Sequence, residues 1–190
     1  MKLSFLASHG GSSAKQIIEA INKGELPGFE IGILITNNKD SAIYQWCLDN
    51  GIEVFHISGK THPHQEDETI KEALLAADTD LIVLSGYMKK IGPKTLAQFS
   101  GKILNVHPSL LPKHGGRGMY GDFVHAAVLK AGETVSGATI HWVEDAYDEG
   151  PVILQKQVAV LPDDTVESLG RRVRAIEGGL YIEALKMIRQ

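Results

Sequence analysis

A chain of 190 residues, 43% hydrophobic and 22% charged, has ordinary globular composition and is long enough to bury a large core without metal or disulfide support. Its formal net charge of -4 argues against a general nucleic-acid or membrane-surface binder, because such partners are held mainly by clustered Lys and Arg. The single cysteine, Cys47, excludes an internal disulfide and a cysteine zinc cluster, and fits a reducing cytoplasm.

Short β-rich apolar runs alternate with helical patterns. KLSFLA reads as the first strand; its apolar run is too short for a signal-peptide core or a membrane span, and no later segment reaches that length, so a soluble cytoplasmic protein is expected. The strand leads through SHGGSSAKQII into a helix. A turn of this kind leaves backbone N–H groups unpaired at the positive end of the helix dipole, which suits a phosphate, although a plain capping turn would look the same. It lacks the third glycine of a dinucleotide fingerprint and the Lys of a P-loop. EIGILITN is a strand, SAIYQWCLDNG a helix, EVFHIS a strand, HQEDETIKEALLAA a helix, DLIVLSG a strand and GPKTLAQF a helix. Gly24 and Gly51 stand where helices stop, at positions that call for positive φ.

The next strand carries the most informative stretch, KILNVHPSLLPKHGG from Lys102 to Gly116. Side chains alternate along a strand, so Asn105 and His107 share one wall while Leu104 and Val106 point the other way. Pro108 and Pro112 restrict the exit. A glycine-rich loop (Gly115 to Gly121), a helix FVHAAVLKAG, strands GATIHWVE and PVILQKQVAV, and a long helix from about Thr165 complete the chain. Helices between strands imply crossovers and a parallel arrangement, so the expected fold is α/β: a single open, mostly parallel twisted sheet with helices on both faces, Rossmann-like, in one domain over residues 1–190. Ligands of such sheets sit beyond the carboxyl ends of the strands.

EDAYDEGPVILQ places Glu144, Asp145, Asp148 and Glu149 before a strand; such loop acids are ordinarily solvated, but one facing His107 would favour the charged imidazole and orient it. Amide, imidazole and carboxylate together would suit acyl transfer. His62 and His64 flank Pro63 without further metal ligands nearby, and no metal is assigned. His114, His125 and His141 read as loop, helix and strand residues, Trp46 and Trp142 as packing residues, and Arg171 and Arg172 as a solvated helical face.

NVHPSLLPKHGGRGMYG, with DEGPVILQ further on and SGYMKKIGP before it, resembles the phosphoribosylglycinamide formyltransferases of purine synthesis, within the folate-dependent formyltransferases. The resemblance runs from Leu3 to the terminal helix. It implies a transferase using 10-formyltetrahydrofolate as co-substrate, with small-molecule partners and no metal; the net charge leaves no nucleic-acid or membrane partner expected, and monomer and homodimer are both open. It gives His107 the central proton-handling role, Asn105 a hydrogen bond to the formyl oxygen and contact with the folate, and Asp148 the carboxylate supporting His107. It assigns Gly11, Ser12 and Ser13 to the ribose phosphate of the acceptor, Arg174 to the same phosphate region, and Glu177 to the glycinamide. Main-chain groups of Met88, Lys89, Lys90 and Ile91, with the loop before Asp148, would hold the folate, and the glycine-rich loop would help cover the acceptor. Family members usually carry Gly-x-Gly-Ser-Asn in the first loop, where this chain has His9 to Ser13, and the Lys pair of MKKIG replaces a more apolar one. Formyltransferases for aminoacyl-tRNA or amino sugars, and the related hydrolases, usually carry added sequence that is not expected here.

Overall fold

A computed structural model describes residues 1–189. The elements run β1 (Lys2–Ala7), α1 (Ser12–Asn22), β2 (Glu30–Thr36), α2 (Ala42–Asp49), β3 (Val54–His56), α3 (Glu66–Ala76), β4 (Leu81–Leu84), α4 (Pro93–Gln98), β5 (Ile103–His107), α5 (Asp122–Lys130), β6 (Val135–Trp142), β7 (Val152–Ala159) and α6 (Val166–Ile188). The strands are hydrogen-bonded in the order β3-β2-β1-β4-β5-β6-β7, with β3 and β7 at the open edges. β1 pairs in parallel with β2 and β4, and β2 with β3. The one departure among the pairings described is the antiparallel β6–β7 pair, whose short connection carries no crossover helix. The expected open, mostly parallel α/β sheet is therefore what the chain forms.

The chain groups into two compact units, residues 1–104 and 105–190. In the first, Leu3, Phe5 and Leu6 on β1 are all fully buried, as are Leu34, Ile35, Ile82 and Val83 on the strands beside it. Consecutive residues point to opposite faces, so a run buried without alternation marks strands covered on both sides. Ile17 and Ile18 of α1, Ile43 and Cys47 of α2 and Leu74 of α3 supply the helical cover. Gly24 and Gly51 take φ of 75° and 67° just past α1 and α2, where a side chain would be strained. α1 starts at Ser12, two residues ahead of the first helix-period apolar residue, because Gly11 turns the chain directly into it.

In the second unit, Ala138 and Ile140 of β6 pack with the buried stripe of α6, Leu169, Val173, Leu180, Tyr181, Ala184 and Leu185. Leu169, Val173, Leu180 and Ala184 recur at helical spacing, which aims one face of α6 inward. Its start is fixed by a capping box: Thr165 Oγ1 accepts from the Ser168 N–H at 3.1 Å, and Ser168 Oγ accepts from the Thr165 N–H at 2.9 Å. Arg172, expected on a solvated face, instead makes a bidentate pair with Asp164 at 2.7 and 2.9 Å and donates to the Ala159 carbonyl, tying the β7–α6 connection to the helix. Arg171 remains exposed, 3.6 Å from Glu167. Among the described residues no helix is long and apolar enough to cross a membrane.

Candidate active site

Asn105 and His107 lie on β5, and the chain leaves the strand at Pro108. The loop that follows is strapped to β6 and β7. Thr139 Oγ1 donates to the Ser109 carbonyl at 2.6 Å and accepts the Leu111 N–H at 3.1 Å, while Gln155 Nε2 donates to the Leu111 carbonyl and to Thr139 Oγ1, both at 2.9 Å. Ser109 Oγ closes the loop on the Lys113 carbonyl at 2.6 Å. The expected restraint by Pro108 and Pro112 is thus joined by a hydroxyl whose donor and both acceptor positions are used.

That loop returns the His114 carbonyl to His107, 2.8 Å from its Nε2. On the other side of the ring, Nδ1 lies 3.3 Å from Asp148 Oδ2. A carbonyl and a carboxylate only accept, so each ring nitrogen of His107 faces an acceptor. His107 is buried, and the Asp148 side chain is 10% exposed. Asp148 also accepts the Gly116 N–H at 3.0 Å. Burial acts to raise its carboxyl, but the His107 hydrogen bond and charge and the Gly116 N–H outweigh it, holding the group below the usual carboxylate range. Asp148 has φ of 59°, a left-handed conformation that Asp tolerates better than most residues, at a cost of about 1 kcal/mol.

A fourth polar group belongs here, His141, which in the sequence alone looks like an ordinary strand residue. His141 Nε2 is 3.1 Å from Asn105 Nδ2 and 3.5 Å from Asp148 Oδ1, and its Nδ1 is 2.9 Å from the Trp142 carbonyl. Burial lowers its pKa, outweighing the Trp142 carbonyl and the Asp148 charge. The signal that could have found it is the one that found Asn105 and His107: in GATIHW, Thr139 and His141 are polar residues two apart on a buried strand.

On α6, Arg174 and Glu177 are one turn apart, as expected. Arg174 is half exposed, its guanidinium 3.8 Å from Asp122. Glu177 is half-buried, and burial pushes its carboxyl up to about 7 against the opposing charges of Arg174 and His107. One turn further, Tyr181 is fully buried and hydrogen-bonds the Val106 backbone, its hydroxyl pushed well above the usual phenol range by burial and then by Glu177. The Gly115 to Gly121 loop leads from the Asp148 contact to an exposed edge-to-face pair, Tyr120 and Phe123, with ring centroids 5.2 Å apart.

The other expected residues belong to the first unit, beyond the carboxyl ends of β1 and β4. Gly11 precedes α1 with φ of 59°, and a Cβ there would lie 2.6 Å from Ile43 Cγ1, so only glycine fits. Gly11 has no side chain with which to cap α1, and Ser85 Oγ takes the Ala14 N–H instead, at 3.0 Å; Ser12 is exposed and Ser13 buried. Ser8 Oγ accepts the Met88 N–H at 2.8 Å, linking this loop to the one that holds Met88, Lys89, Lys90 and Ile91. There Met88 is exposed, Ile91 is buried, and Lys89 pairs with Glu66 at 2.8 Å. His64, Glu66, Tyr87, Lys89, Lys90 and Ile91 line a cavity of about 230 Å³. Asp67 braces its floor by capping α4, accepting the Lys94 and Thr95 N–H groups at 2.8 and 3.0 Å.

Residues 1–185 match the family described as formyl transferase. The chloroplastic phosphoribosylglycinamide formyltransferase of Vigna unguiculata is 38% identical over 194 residues, covering 98% of this chain and 60% of that protein. The phosphoribosylglycinamide formyltransferase of Haemophilus influenzae is 34% identical over 187 residues, covering 97% of this chain and 85% of that protein. The crystal structure of glycinamide ribonucleotide transformylase 1 from Symbiobacterium toebii superposes with a TM-score of 0.90 at 33% identity, over 97% of this chain and 85% of that one. The chain spans 60% of the Vigna protein and 65% of an Arabidopsis thaliana relative, less than two thirds of either. A family match that runs from β1 into α6 leaves no element outside it: the chain belongs to the formyl transferase family.

Proposed function

We propose that this protein transfers the formyl group of 10-formyltetrahydrofolate to the amine of 5-phosphoribosylglycinamide, in the cytoplasm and with small molecules as its partners, and that residues 1–190 act as one formyltransferase domain. The observation that carries this reading is the buried contact between His107 and Asp148, with Asn105 on the same strand as His107.

The acceptor amine attacks the formyl carbon, and the carbonyl oxygen takes up negative charge in a tetrahedral intermediate. Asn105 Nδ2 and His107 donate to that oxygen; loss of one such donor typically costs about 2.7 to 4 kcal/mol of transition-state stabilisation. A proton leaves the attacking amine and reaches the departing folate nitrogen, through His107 or a water held by Asp148, a transfer worth roughly a hundredfold to ten-thousandfold. The carbon–nitrogen bond to the folate then breaks, giving formylated acceptor and tetrahydrofolate. No metal takes part in these steps. His107 Nε2 lies 2.8 Å from the His114 carbonyl, so donation to the formyl oxygen from that nitrogen requires this contact to be shared or given up.

Gly11, Ser12 and Ser13 take the ribose phosphate: the start of α1 offers the backbone N–H groups that precede the one held by Ser85, and the positive end of the helix dipole, which survives the departures at His9 and Ser13 because backbone atoms carry it. Arg174 adds charge for the phosphate, and Glu177 accepts from the glycinamide nitrogen. Main-chain groups of Met88 to Ile91 hold the folate, and the glycine-rich loop covers the acceptor. The test is an assay of the purified protein with 10-formyltetrahydrofolate and phosphoribosylglycinamide beside an amine-free control. Folate turnover should require the amine; equal turnover without it would make the protein a hydrolase, and no turnover in either would reject catalysis.

A further inference from the structure

We propose that His141 is a positioning residue for this reaction: it holds the Asn105 side chain with its amide nitrogen turned toward the imidazole, leaving the second N–H of that amide for the formyl oxygen. The claim rests on the reading of the site given above. It follows from the hydrogen-bond partners taken in order. His141 Nδ1 lies 2.9 Å from the Trp142 carbonyl oxygen, which can only accept, so Nδ1 carries the hydrogen. His141 is 2% exposed, and burial favours its uncharged form, so Nε2 keeps a lone pair. Asn105 lies 3.1 Å from that nitrogen. An amide oxygen there would set lone pair against lone pair, so the amide must present its NH2 group.

Asp148 Oδ1, 3.5 Å from the same Nε2, has no hydrogen to share with it in this tautomer. Asp148 thus serves His107 and Gly116 through Oδ2 while His141 serves Asn105. The platform is stiff, because Thr139, two residues earlier on the same face of β6, straps the loop after His107. Without His141 the Asn105 amide could rotate by half a turn and offer an oxygen where the developing oxyanion needs a donor. The loss would fall on kcat more than on KM, since the donor matters most as charge develops.

The test compares His141→Leu, which removes the acceptor, His141→Gln, whose amide oxygen reaches the Nε2 position, Asn105→Ala, and the His141→Leu/Asn105→Ala pair. His141→Leu should lower kcat by roughly tenfold to a hundredfold with both KM values within about threefold, and His141→Gln should recover most of it. In the Asn105→Ala background His141→Leu should cost less than about twofold, because its target is gone. Equal losses in the Leu and Gln variants, or additive losses in the pair, would overturn the proposal. A second measurement needs neither turnover nor the Leu variant to fold: nitrogen NMR of histidine-labelled protein near pH 7, with the His141 signals identified by their disappearance in His141→Gln. Hydrogen on Nδ1 alone is expected; hydrogen on Nε2 would overturn the proposal. A wild-type protein without formyl transfer would reject the reaction, and the spectrum would still decide the tautomer.

Discussion

Asp148 combines two demands that few residues meet together, a positive φ and a negative charge directed at a buried imidazole. Asn keeps the first and loses the second, since Asn also tolerates the left-handed region and its oxygen can still accept the Gly116 N–H. Asp148→Asn should therefore fold normally by circular dichroism yet transfer formyl groups about a hundredfold or more slowly; turnover within a few-fold of wild type would separate the charge from the chemistry. Glu177 shows the opposite electrostatic balance. Its carboxyl is raised to about 7 in the folded chain, above its ordinary value, so the folded state holds a proton that the unfolded state releases between about pH 4.3 and 7. Its contribution is neutral at lower pH and becomes increasingly unfavourable through that window. Urea titrations should show Glu177→Gln gaining on wild type as pH rises from about 4.5 to 7, by up to about 3 kcal/mol, and then levelling off. A constant difference across that range would contradict the raised value. At this scale Asn105, His107 and Asp148 were legible from residue type and motif. His141 was not, because a lone histidine in an apolar strand looks like core until the partner strand is known.

At the scale of elements, the Met88 to Ile91 loop depends on a contact that no local pattern announces. Asp67 sits in the first turn of α3, where an acidic residue would be read as complementing its own helix dipole, yet its carboxylate caps α4 instead. This is why α4, only six residues long, has a fixed start, and why the Met88 to Ile91 turn ends at a defined place. Asp67→Ala should cost about 1 to 2 kcal/mol in unfolding experiments and raise KM for the folate several-fold with little change in kcat. Unchanged folate KM would show that the loop holds its shape without the cap. Helices and strands were themselves readable, since short continuous apolar runs alternate along the chain with stretches of three-to-four-residue apolar period. Arg172 was misread for the reason Asp67 was unreadable: its partner, Asp164, lies in a connection, and spacing along a helix is silent about partners outside it.

For the whole molecule, alternation of element types was enough to give an open α/β sheet. The strand order was not legible, because parallel neighbours are joined by crossovers whose lengths do not name the partner. The integrity of the first unit has a built-in reporter. Cys47 is fully buried, and burial pushes its thiol up to about 11 despite the nearby Lys15 charge. Thiol reagents at pH 8 should label it at least about a hundredfold more slowly in native than in denatured protein, with a rate set by opening of the fold. Labelling of native protein at the denatured rate would mean the core around α2 is not closed.

The most direct measurement of the central claim is the rate of formyl transfer to phosphoribosylglycinamide by a folded His107→Ala variant. A fall of about a hundredfold or more, with unfolding behaviour near that of wild type, is the result expected if the ring between Asp148 and the His114 carbonyl handles the proton. A rate within about threefold of wild type would contradict it.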